Sequence, residues 1–120
     1  IPSLKELVQN DSSFEKTTFS CCQNSDTLEA IKATNKKVVI VAGIETHVCV
    51  LQTCIDLLEN GFKVVLVTDA SGSRKKMDHK MAIKRLVQAG AIPTTYESIL
   101  FELTVDSKNP CFKEISSLVK

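Results

Sequence analysis

Short apolar runs alternate with amphipathic segments along this chain, and the alternation predicts strands joined by helices. Val38–Ala42 is continuously apolar and mostly β-branched, which is typical of a strand covered on both faces. The segment Val48–Asn60 has apolar residues at helical spacing, and Asn60-Gly61 supplies a helix stop. A second apolar run, Lys63–Thr68, completes a βαβ unit with parallel strands. The apolar positions of the intervening helix are Val48, Leu51, Ile55 and Leu58.

A second unit of the same kind follows. Asp78 is predicted to cap a helix that ends at Gly90, and Ile92–Tyr96 is predicted to be the next strand. Because Pro93 cannot donate to a β-ladder, we expect that strand at a sheet edge. The apolar positions of the helix are Met81, Ile83, Leu86 and Val87.

The rest of the pattern completes a single α/β domain with a mostly parallel sheet, since the chain has no repeat and no low-complexity linker. It predicts a strand at Lys16–Phe19 and helices at Ser25–Asn35, Glu97–Leu103 and Pro110–Val119. Pro110 is expected at the first position of its helix, where a missing N–H costs little.

Cys49 lies where the first buried strand turns into a helix, in Gly43-Ile44-Glu45-Thr46-His47-Val48-Cys49-Val50. Backbone N–H groups in a first helical turn have no intrahelical partner and favour negative charge. Such settings lower a cysteine pKa from about 8.5 to roughly 3.5–7.5 and so activate the thiolate. A small buried apolar cysteine is the alternative, and position alone leaves both open.

Charge and hydropathy exclude several classes of partner. With 15 basic and 14 acidic residues the net charge is +1, and aromatic residues are few, so we expect no nucleic-acid partner. The basic cluster Arg74-Lys75-Lys76 is explained by a solvated loop. The longest apolar run is far too short to cross a bilayer and no leader pattern precedes it, so we expect no membrane partner.

The five cysteines show no scaffold spacing, which favours a reducing compartment, the cytoplasm or alternatively the mitochondrion. Cys49 and Cys54 lack the spacing of a zinc pair, and His47 and His79 lie on separate elements. The sequence therefore predicts neither a metal site nor a cofactor. Cys54 lies on a different face from Cys49 and is expected in the core.

Three stretches of the chain resemble the isochorismatase-like cysteine hydrolase family. The segment around Cys49, continued by Gln52-Thr53, is similar to the nucleophile segment, and Glu15-Lys16-Thr17-Thr18-Phe19-Ser20 is similar to the segment with the catalytic lysine. Glu45 makes the likeness strongest to the eukaryotic isochorismatase domain-containing proteins. The third stretch comprises Val67-Thr68-Asp69-Ala70, Ser73-Arg74, Ala89-Gly90-Ala91 and Thr94-Thr95-Tyr96-Glu97.

The resemblance implies a three-layer Rossmann-like hydrolase that acts on an amide or related bond of a small molecule. Cys49 would be the nucleophile and Lys16 a cation beside it, while the N–H groups of Glu45 and Cys49 would form an oxyanion hole. A cis peptide between Ile44 and Glu45 would aim those donors, and Ile44 and His47 would contact substrate. Relatives commonly associate, so the resemblance also implies a homo-oligomer.

Other interpretations stay open for several of these residues. An isolated lysine is more often exposed than catalytic, and only the Lys-Thr-Thr-Phe-Ser context favours a role for Lys16. His47 could contact substrate or pack on the start of the helix. Asp69 is expected to organise its loop, and His79 is expected to be structural.

The family's catalytic aspartate lies on a first strand that has no counterpart in this sequence. The opening segment Ile1–Leu7 resembles the part that follows the family's second strand. We therefore expect residues 1–120 to be the C-terminal two-thirds of one hydrolase domain, without its N-terminal strands. The alternative function is a catalytically silent domain that acts through protein contacts, or an inactive fragment, and the sequence does not identify a substrate.

Overall fold

Helices and strands alternate from Ser25 to Thr104, as the hydrophobic pattern predicts. The computed structural model describes Val8 and residues 13–120, so the interpretation of Ile1–Leu7 falls outside the described residues. The strands are β1 (Val38–Ile44), β2 (Lys63–Gly72) and β3 (Ile92–Thr94). The helices are α1 (Ser25–Ala33), α2 (Leu51–Glu59), α3 (Lys76–Ala89), α4 (Tyr96–Thr104) and α5 (Phe112–Leu118). None of the helices in the described ranges is long and apolar enough to cross a membrane.

The three strands of the described chain form one parallel sheet in the order β1-β2-β3. Val38 of β1 lies opposite Lys63 of β2, and the register of this pair shifts between Val41 and Gly43. Since α2 joins β1 to β2 and α3 joins β2 to β3, the predicted parallel βαβ units are confirmed. Pro93 lies in β3, at an edge of this sheet, as predicted.

One face of the sheet is covered by helices and forms the core. Leu28 and Ile31 of α1 pack against this core, as do Val39 and Val41 of β1. Fully burying one leucine contributes about 1.5–3 kcal/mol, so this cluster supplies much of the stability of the fold. Its buried members include Leu51, Cys54, Leu57, Val64, Leu66 and Leu86.

The buried side of α2 differs from the predicted one. Leu51, Cys54 and Leu57 are buried, whereas Val48 precedes the α-helix and lies in a wider π-type turn, Thr46–Val50. A π-type turn holds more residues than an α-turn and therefore shifts the phase of the helix that follows it. Of the four predicted apolar positions, Leu51 is buried, and Ile55 and Leu58 are partly buried against the core.

The opposite face of the sheet is largely open, so the prediction that β1 is covered on both faces is wrong. Val38 and Ile40 remain 48% and 44% exposed. They line a groove of about 550 Å³ that Ile99 and Leu103 of α4 close on one side. The reason is that α1, α2 and α3 all supply residues to the other face, where Val39 and Val41 point.

Lys16–Phe19 is not a strand, contrary to prediction. The chain bends there because Lys16 Nζ donates to the carbonyls of Thr18 (2.8 Å) and Phe19 (2.9 Å), and the Thr18 hydroxyl donates to the carbonyl of Ser20 (2.9 Å). Carbonyls that accept side-chain donors at this spacing fold the backbone on itself and do not extend a ladder.

Two helices begin at residues other than those predicted. α3 begins at Lys76, so Asp78 lies inside its first turn and is not the cap, although Gly90 does close the helix with φ 106°. α5 begins at Phe112 and is preceded by Cys111, so Pro110 lies outside the first helical position. In that segment the side chain of Asn109 accepts from the N–H of Cys111 and organises the turn before the helix.

Candidate active site

The chain reverses sharply between β1 and the helical segment that carries Cys49. Glu45 has a left-handed backbone (φ 48°, ψ 72°), and Gly43 before it has φ 145°. The predicted cis peptide between Ile44 and Glu45 is absent, since no described residue has a cis bond. A cis bond to a residue other than proline costs about 2.5–4 kcal/mol, whereas a left-handed residue costs of order 1–3 kcal/mol. Glu45 makes the turn through its φ angle instead.

Cys49 lies on the wide turn Thr46–Val50, where it is half-buried. The N–H groups of Val48 and Val50 both donate to the carbonyl of Glu45, at 2.9 and 3.3 Å. A cavity of about 170 Å³ opens beside the turn, and it is large enough for a small ligand group. It is lined by Cys21, Val41, Ala42, Gly43, Ile44, Cys49, Val50 and Thr53. The structure thus brings Ile44 and Cys49, two of the predicted site residues, to one cavity.

The segment that contains Lys16 is anchored beside this cavity. The N–H of Cys21 donates to Thr53 Oγ1 at 3.0 Å, and the thiol of Cys22 donates to the carbonyl of Thr53 at 3.9 Å. Cys21 and Thr53 are both lining residues. Lys16 itself is exposed and is engaged with the carbonyls of its own segment, so its catalytic role stays a prediction.

His47 lies on the other side of the turn, in a cluster of polar side chains that sequence reasoning did not assemble. Its Nδ1 shares a hydrogen bond with Ser73 Oγ at 2.9 Å and lies 3.4 Å from Glu45 Oε2. Its Nε2 lies 3.9 Å from Asp78 Oδ2. Arg74 Nε is 3.3 Å from Glu45 Oε1. This cluster joins the turn to the loop after β2 and to the first turn of α3.

His47 also lines a second cavity, of about 230 Å³, with residues of α2 and α3. The lining residues are His47, Leu51, Asp78, Met81, Ala82 and Arg85, and none of them lines the cavity beside Cys49. Carboxyl ends of neighbouring parallel strands share one edge of a sheet, so the turn after β1 and the residues that follow β2 meet here.

His79 has a structural contact, as expected from the sequence, whereas Asp69 lies within β2 and not in the predicted loop. His79 Nδ1 shares a 2.9 Å hydrogen bond with the hydroxyl of Thr46, which is fully buried. Asp69 Oδ1 accepts from the N–H of Tyr96 at 2.8 Å, where α4 begins.

Two thiols near the site, Cys22 and Cys54, are buried, whereas Cys21 is half-buried like Cys49. Cys54 is fully buried, as predicted, and burial together with the nearby Cys22 raises its pKa to about 12. Burial, and then the charge of Asp56, also raises the pKa of Cys22. Neither thiol is suited to act as a nucleophile at neutral pH. Across the described ranges, no three His, Cys, Asp or Glu side chains are grouped so as to hold a metal ion.

The sequence matches the family model described as "Isochorismatase domain" over residues 1–98. It is 44% identical to isochorismatase family protein 1B of Dictyostelium discoideum over 98% of this chain and 58% of that protein. The chain therefore spans less than two thirds of the length of this curated relative.

Solved structures show the same fold. A structure described as MAR1 ribonuclease from Caenorhabditis elegans superposes with a TM-score of 0.89 at 44% identity, covering 99% of this chain and 61% of the other. YcaC from Pseudomonas aeruginosa, solved with hexane-2,5-diol and covalent acrylamide, has a TM-score of 0.87 at 35% identity, with 96% and 58% covered. The YcaC gene product from Escherichia coli, described as an octameric hydrolase of unknown specificity, has a TM-score of 0.78 at 32% identity, with 88% and 56% covered.

The family match covers most of the chain, and the matched residues include the turn at Glu45, Cys49 and the cavity beside them. The chain belongs to the isochorismatase family and has the α/β fold of its isochorismatase-like hydrolases.

Proposed function

We propose that this chain forms the thiol-bearing part of a cysteine hydrolase that cleaves an amide or related bond of a small molecule. The proposal includes the expectation that residues 1–120 are the C-terminal two-thirds of one hydrolase domain, and the 58% coverage of the Dictyostelium relative supports it. The activity is that of the complete domain.

The observation that carries the proposal is the position of Cys49. It lies on a turn at the carboxyl end of a parallel strand and lines a cavity with Gly43 and Ile44, whereas Cys21, which lines the same cavity, lies on a separate segment. Ligands of open α/β sheets bind at this end of the strands. A cavity of about 170 Å³ admits a scissile group and leaves the rest of a substrate outside.

In the proposed reaction, the Cys49 thiolate attacks the carbonyl carbon and a carbon–sulfur bond forms. The resulting oxyanion accepts hydrogen bonds from the N–H groups of Glu45 and Cys49. When the tetrahedral intermediate collapses, the carbon–nitrogen bond breaks and the amine takes up a proton. Water then attacks the acyl-enzyme, which releases the acid and restores the thiol.

Lys16 and an aspartate from outside this chain complete the proposed proton chemistry. A lysine ammonium near the sulfur favours the thiolate, and a carboxylate carries the proton between thiol and amine. The anchoring of Cys21 on Thr53 supports a place for the Lys16 segment near the cavity. For substrate binding we propose Ile44, which lines that cavity, and His47, whose alternative role is to pack on the turn.

Two features of the relatives support the proposal. Acrylamide, which is covalently bound in the Pseudomonas protein, is an electrophile of the kind that a thiolate adds to. The Escherichia coli protein is described as an octamer, which supports a homo-oligomer for this chain also. A cytoplasmic location, with the mitochondrion as the alternative, remains a proposal from the cysteine usage.

An activated ester tests the nucleophile assignment in this chain. p-Nitrophenolate is a good leaving group that needs no proton donor, so acylation by p-nitrophenyl acetate requires only a reactive thiolate and its oxyanion hole. We expect a burst of p-nitrophenolate and an acetyl adduct on Cys49 by peptide mass spectrometry. Equal labelling of Cys21, Cys49 and Cys111 would refute a privileged nucleophile.

The alternative function is a silent domain that binds another protein through the open sheet face at Val38 and Ile40. Under that function, Cys49→Ala would keep partner binding and no hydrolysis would be lost. Because one solved structure is described as a ribonuclease, RNA cleavage is the activity to test against the proposed amide chemistry. RNA cleavage that persists in Cys49→Ala would contradict the proposed chemistry.

A further inference from the structure

Two cysteines of this chain line one cavity, the one beside the turn that carries Cys49. All the cysteines lie in the described ranges, and of these only Cys21 and Cys49 line this cavity of about 170 Å³. Both are half-buried, so a small solute reaches them, whereas Cys22 and Cys54 are buried. The proposed hydrolysis uses the thiol of Cys49 and gives the thiol of Cys21 no role.

We propose that Cys21 and Cys49 form a reversible disulfide across this cavity when a hydroperoxide oxidises the protein. Cys49 is the thiol that reacts with the oxidant, and Cys21 is the thiol that resolves the product. The inference goes beyond the proposed function, because it rests on a reactive thiol at Cys49 but not on hydrolysis.

The anchoring of Cys21 brings its segment to the side of the helix that carries Cys49. The N–H of Cys21 donates to Thr53 Oγ1 at 3.0 Å, and Thr53 follows Cys49 by about one helical turn and lines the same cavity. Residues one turn apart on a helix have Cβ atoms about 5–6 Å apart. A disulfide joins residues whose Cα atoms are about 4.4–6.8 Å apart. Thr53 therefore holds the backbone of Cys21 beside Cys49 on the length scale that a disulfide spans.

The neighbouring Cys22 faces the core instead. Its thiol donates to the carbonyl of Thr53 at 3.9 Å, and it belongs to the same buried cluster as Cys54. Burial raises the pKa of Cys22 and raises that of Cys54 to about 12. Because the thiolate is the form that reacts with peroxides, these two thiols compete poorly with the pair in the cavity.

The proposed oxidation has two steps. The Cys49 thiolate first attacks one oxygen of the peroxide, so that a sulfur–oxygen bond forms, the oxygen–oxygen bond breaks and the leaving oxygen takes up a proton. Cys49 is then a sulfenic acid, and hydrogen peroxide has become water. Next the sulfur of Cys21 attacks the sulfur of Cys49, the sulfur–oxygen bond breaks, and hydroxide leaves with the Cys21 proton as water.

The electron balance of these steps closes with one peroxide. Two thiols lose two electrons in total as they become a disulfide, and the peroxide gains them. An added dithiol reverses the modification through a mixed disulfide.

The disulfide protects Cys49 from irreversible oxidation. A sulfenic acid that meets no second thiol is oxidised further to sulfinic and sulfonic acids, which thiols do not reduce. While the disulfide persists, Cys49 is blocked against acylation, and reduction restores it. Disulfides of reducing compartments are usually transient and redox-sensing, which agrees with the compartment expected from the cysteine usage.

Peptide mapping of the full chain tests the bond directly. The protein is treated with hydrogen peroxide, its remaining thiols are blocked with iodoacetamide, and it is digested with trypsin without reductant. Cleavage after lysine releases residues 17–32, which contain Cys21, and residues 38–63, which contain Cys49. We expect these peptides to be joined, at a rate independent of protein concentration because the bond lies within one chain. A Cys49 sulfinic acid without the joined peptide would overturn the proposal.

Variants assign the bond, because each of these peptides carries a second cysteine. Cys21→Ser should lower the yield of the joined peptide at least about tenfold, since a hydroxyl does not resolve a sulfenic acid. The matched controls Cys22→Ala and Cys54→Ala should change it by less than about twofold. Cys21→Ser keeps the contact to Thr53, which the backbone N–H makes. A yield that persists in Cys21→Ser and falls in Cys22→Ala would assign the bond to the buried thiols and contradict the proposal.

Recovery of the p-nitrophenolate burst tests the protection of Cys49. Each variant is compared with its own untreated burst after peroxide and then dithiothreitol. The wild type should regain most of its burst, and Cys21→Ser should regain at least about fivefold less, because its Cys49 has passed to the sulfinic acid. Equal recovery in both proteins would show that Cys21 does not resolve the oxidised thiol.

The failure of this inference is distinguishable from the failure of the proposed function. If the ester acylates Cys49 and the joined peptide is absent, the redox site fails and the nucleophile assignment stands. If the joined peptide forms and the ester never acylates Cys49, the redox site stands and the proposed hydrolysis fails.

Discussion

Cys49 and Cys54 lie on one continuous helical segment of this chain but in opposite surroundings. Cys49 is half-buried on the turn and lines a cavity at the end of β1, whereas Cys54 is fully buried in the core with Leu57 and Leu66. Burial raises the pKa of Cys54 to about 12. Because both residues are cysteines of the same helical segment, the comparison shows that exposure and the shape of the turn decide which thiol can be a nucleophile.

The largest expected difference between the two thiols is in acyl transfer. Cys49→Ala should reduce acylation by p-nitrophenyl acetate at least about 10³-fold, because Cys21, the other thiol that lines the cavity, does not lie on the turn that would supply the oxyanion hole. Cys54→Ala is the matched control and should keep the rate of the folded protein within a few-fold. Stopped-flow absorbance of p-nitrophenolate measures both, and a burst that survives Cys49→Ala would remove the nucleophile assignment.

Alkylation should separate the same pair of thiols by at least about 10³-fold. A thiol with a pKa of about 12 is deprotonated about 10³-fold less at neutral pH than a free cysteine, and its core position adds steric exclusion. Iodoacetamide labelling followed by peptide mass spectrometry gives each rate. Cys54 should react only after denaturant is added, and comparable rates in the native protein would refute the comparison.

Stability at alkaline pH should depend on Cys54. Its folded pKa is raised above the value of the unfolded chain, so its contribution is fully present below about pH 9 and is lost as pH rises toward about 12. Within that window, ionisation of this thiol should lower the free energy of unfolding by up to about 1.4 kcal/mol per pH unit. Urea unfolding at several pH values should show that the free energy of unfolding falls less steeply with pH in Cys54→Ala.

The same measurement has an internal check, since burial also raises the pKa of Cys22. Cys22→Ala should therefore reduce the slope as well. An alkaline slope that neither variant changes would show that the core opens before these thiols ionise.

The smallest expected effects come from replacing sulfur by oxygen. Cys54→Ser places a hydroxyl in an apolar core and should lower the free energy of unfolding by about 1–3 kcal/mol. Cys49→Ser, at a half-buried position, should change it by less than about 0.5 kcal/mol. Chemical denaturation compares the two, and equal losses would mean that the cavity beside Cys49 is closed in solution.

The sequence predicted most of the helices and strands because their signals are local. Helical spacing, β-branched runs and the stop at Gly90 each depend on neighbours within a few residues. The parallel arrangement and the edge position of Pro93 followed from the same pattern. The strand predicted at Lys16–Phe19 failed because its carbonyls accept from Lys16 and the segment bends.

The sequence also singled out Cys49 and its turn, but it did not predict how that turn is made. Glu45 adopts positive φ in place of the expected cis bond, and a wide turn shifts the buried side of α2. Nothing in the local pattern of a glutamate predicts a left-handed backbone. That conformation depends on partners in the loop after β2 and in α3, far along the chain.

By itself, then, the sequence determined the order of elements, the family resemblance and the thiol at the end of β1. Only the tertiary structure decided which thiols are buried, which face of the sheet is covered, and that His47 faces Ser73 and Glu45. The physical reason is that secondary structure follows from short-range periodicity. Burial, cavities and polar clusters form where segments distant in sequence come into contact, and a short-range pattern does not predict those contacts.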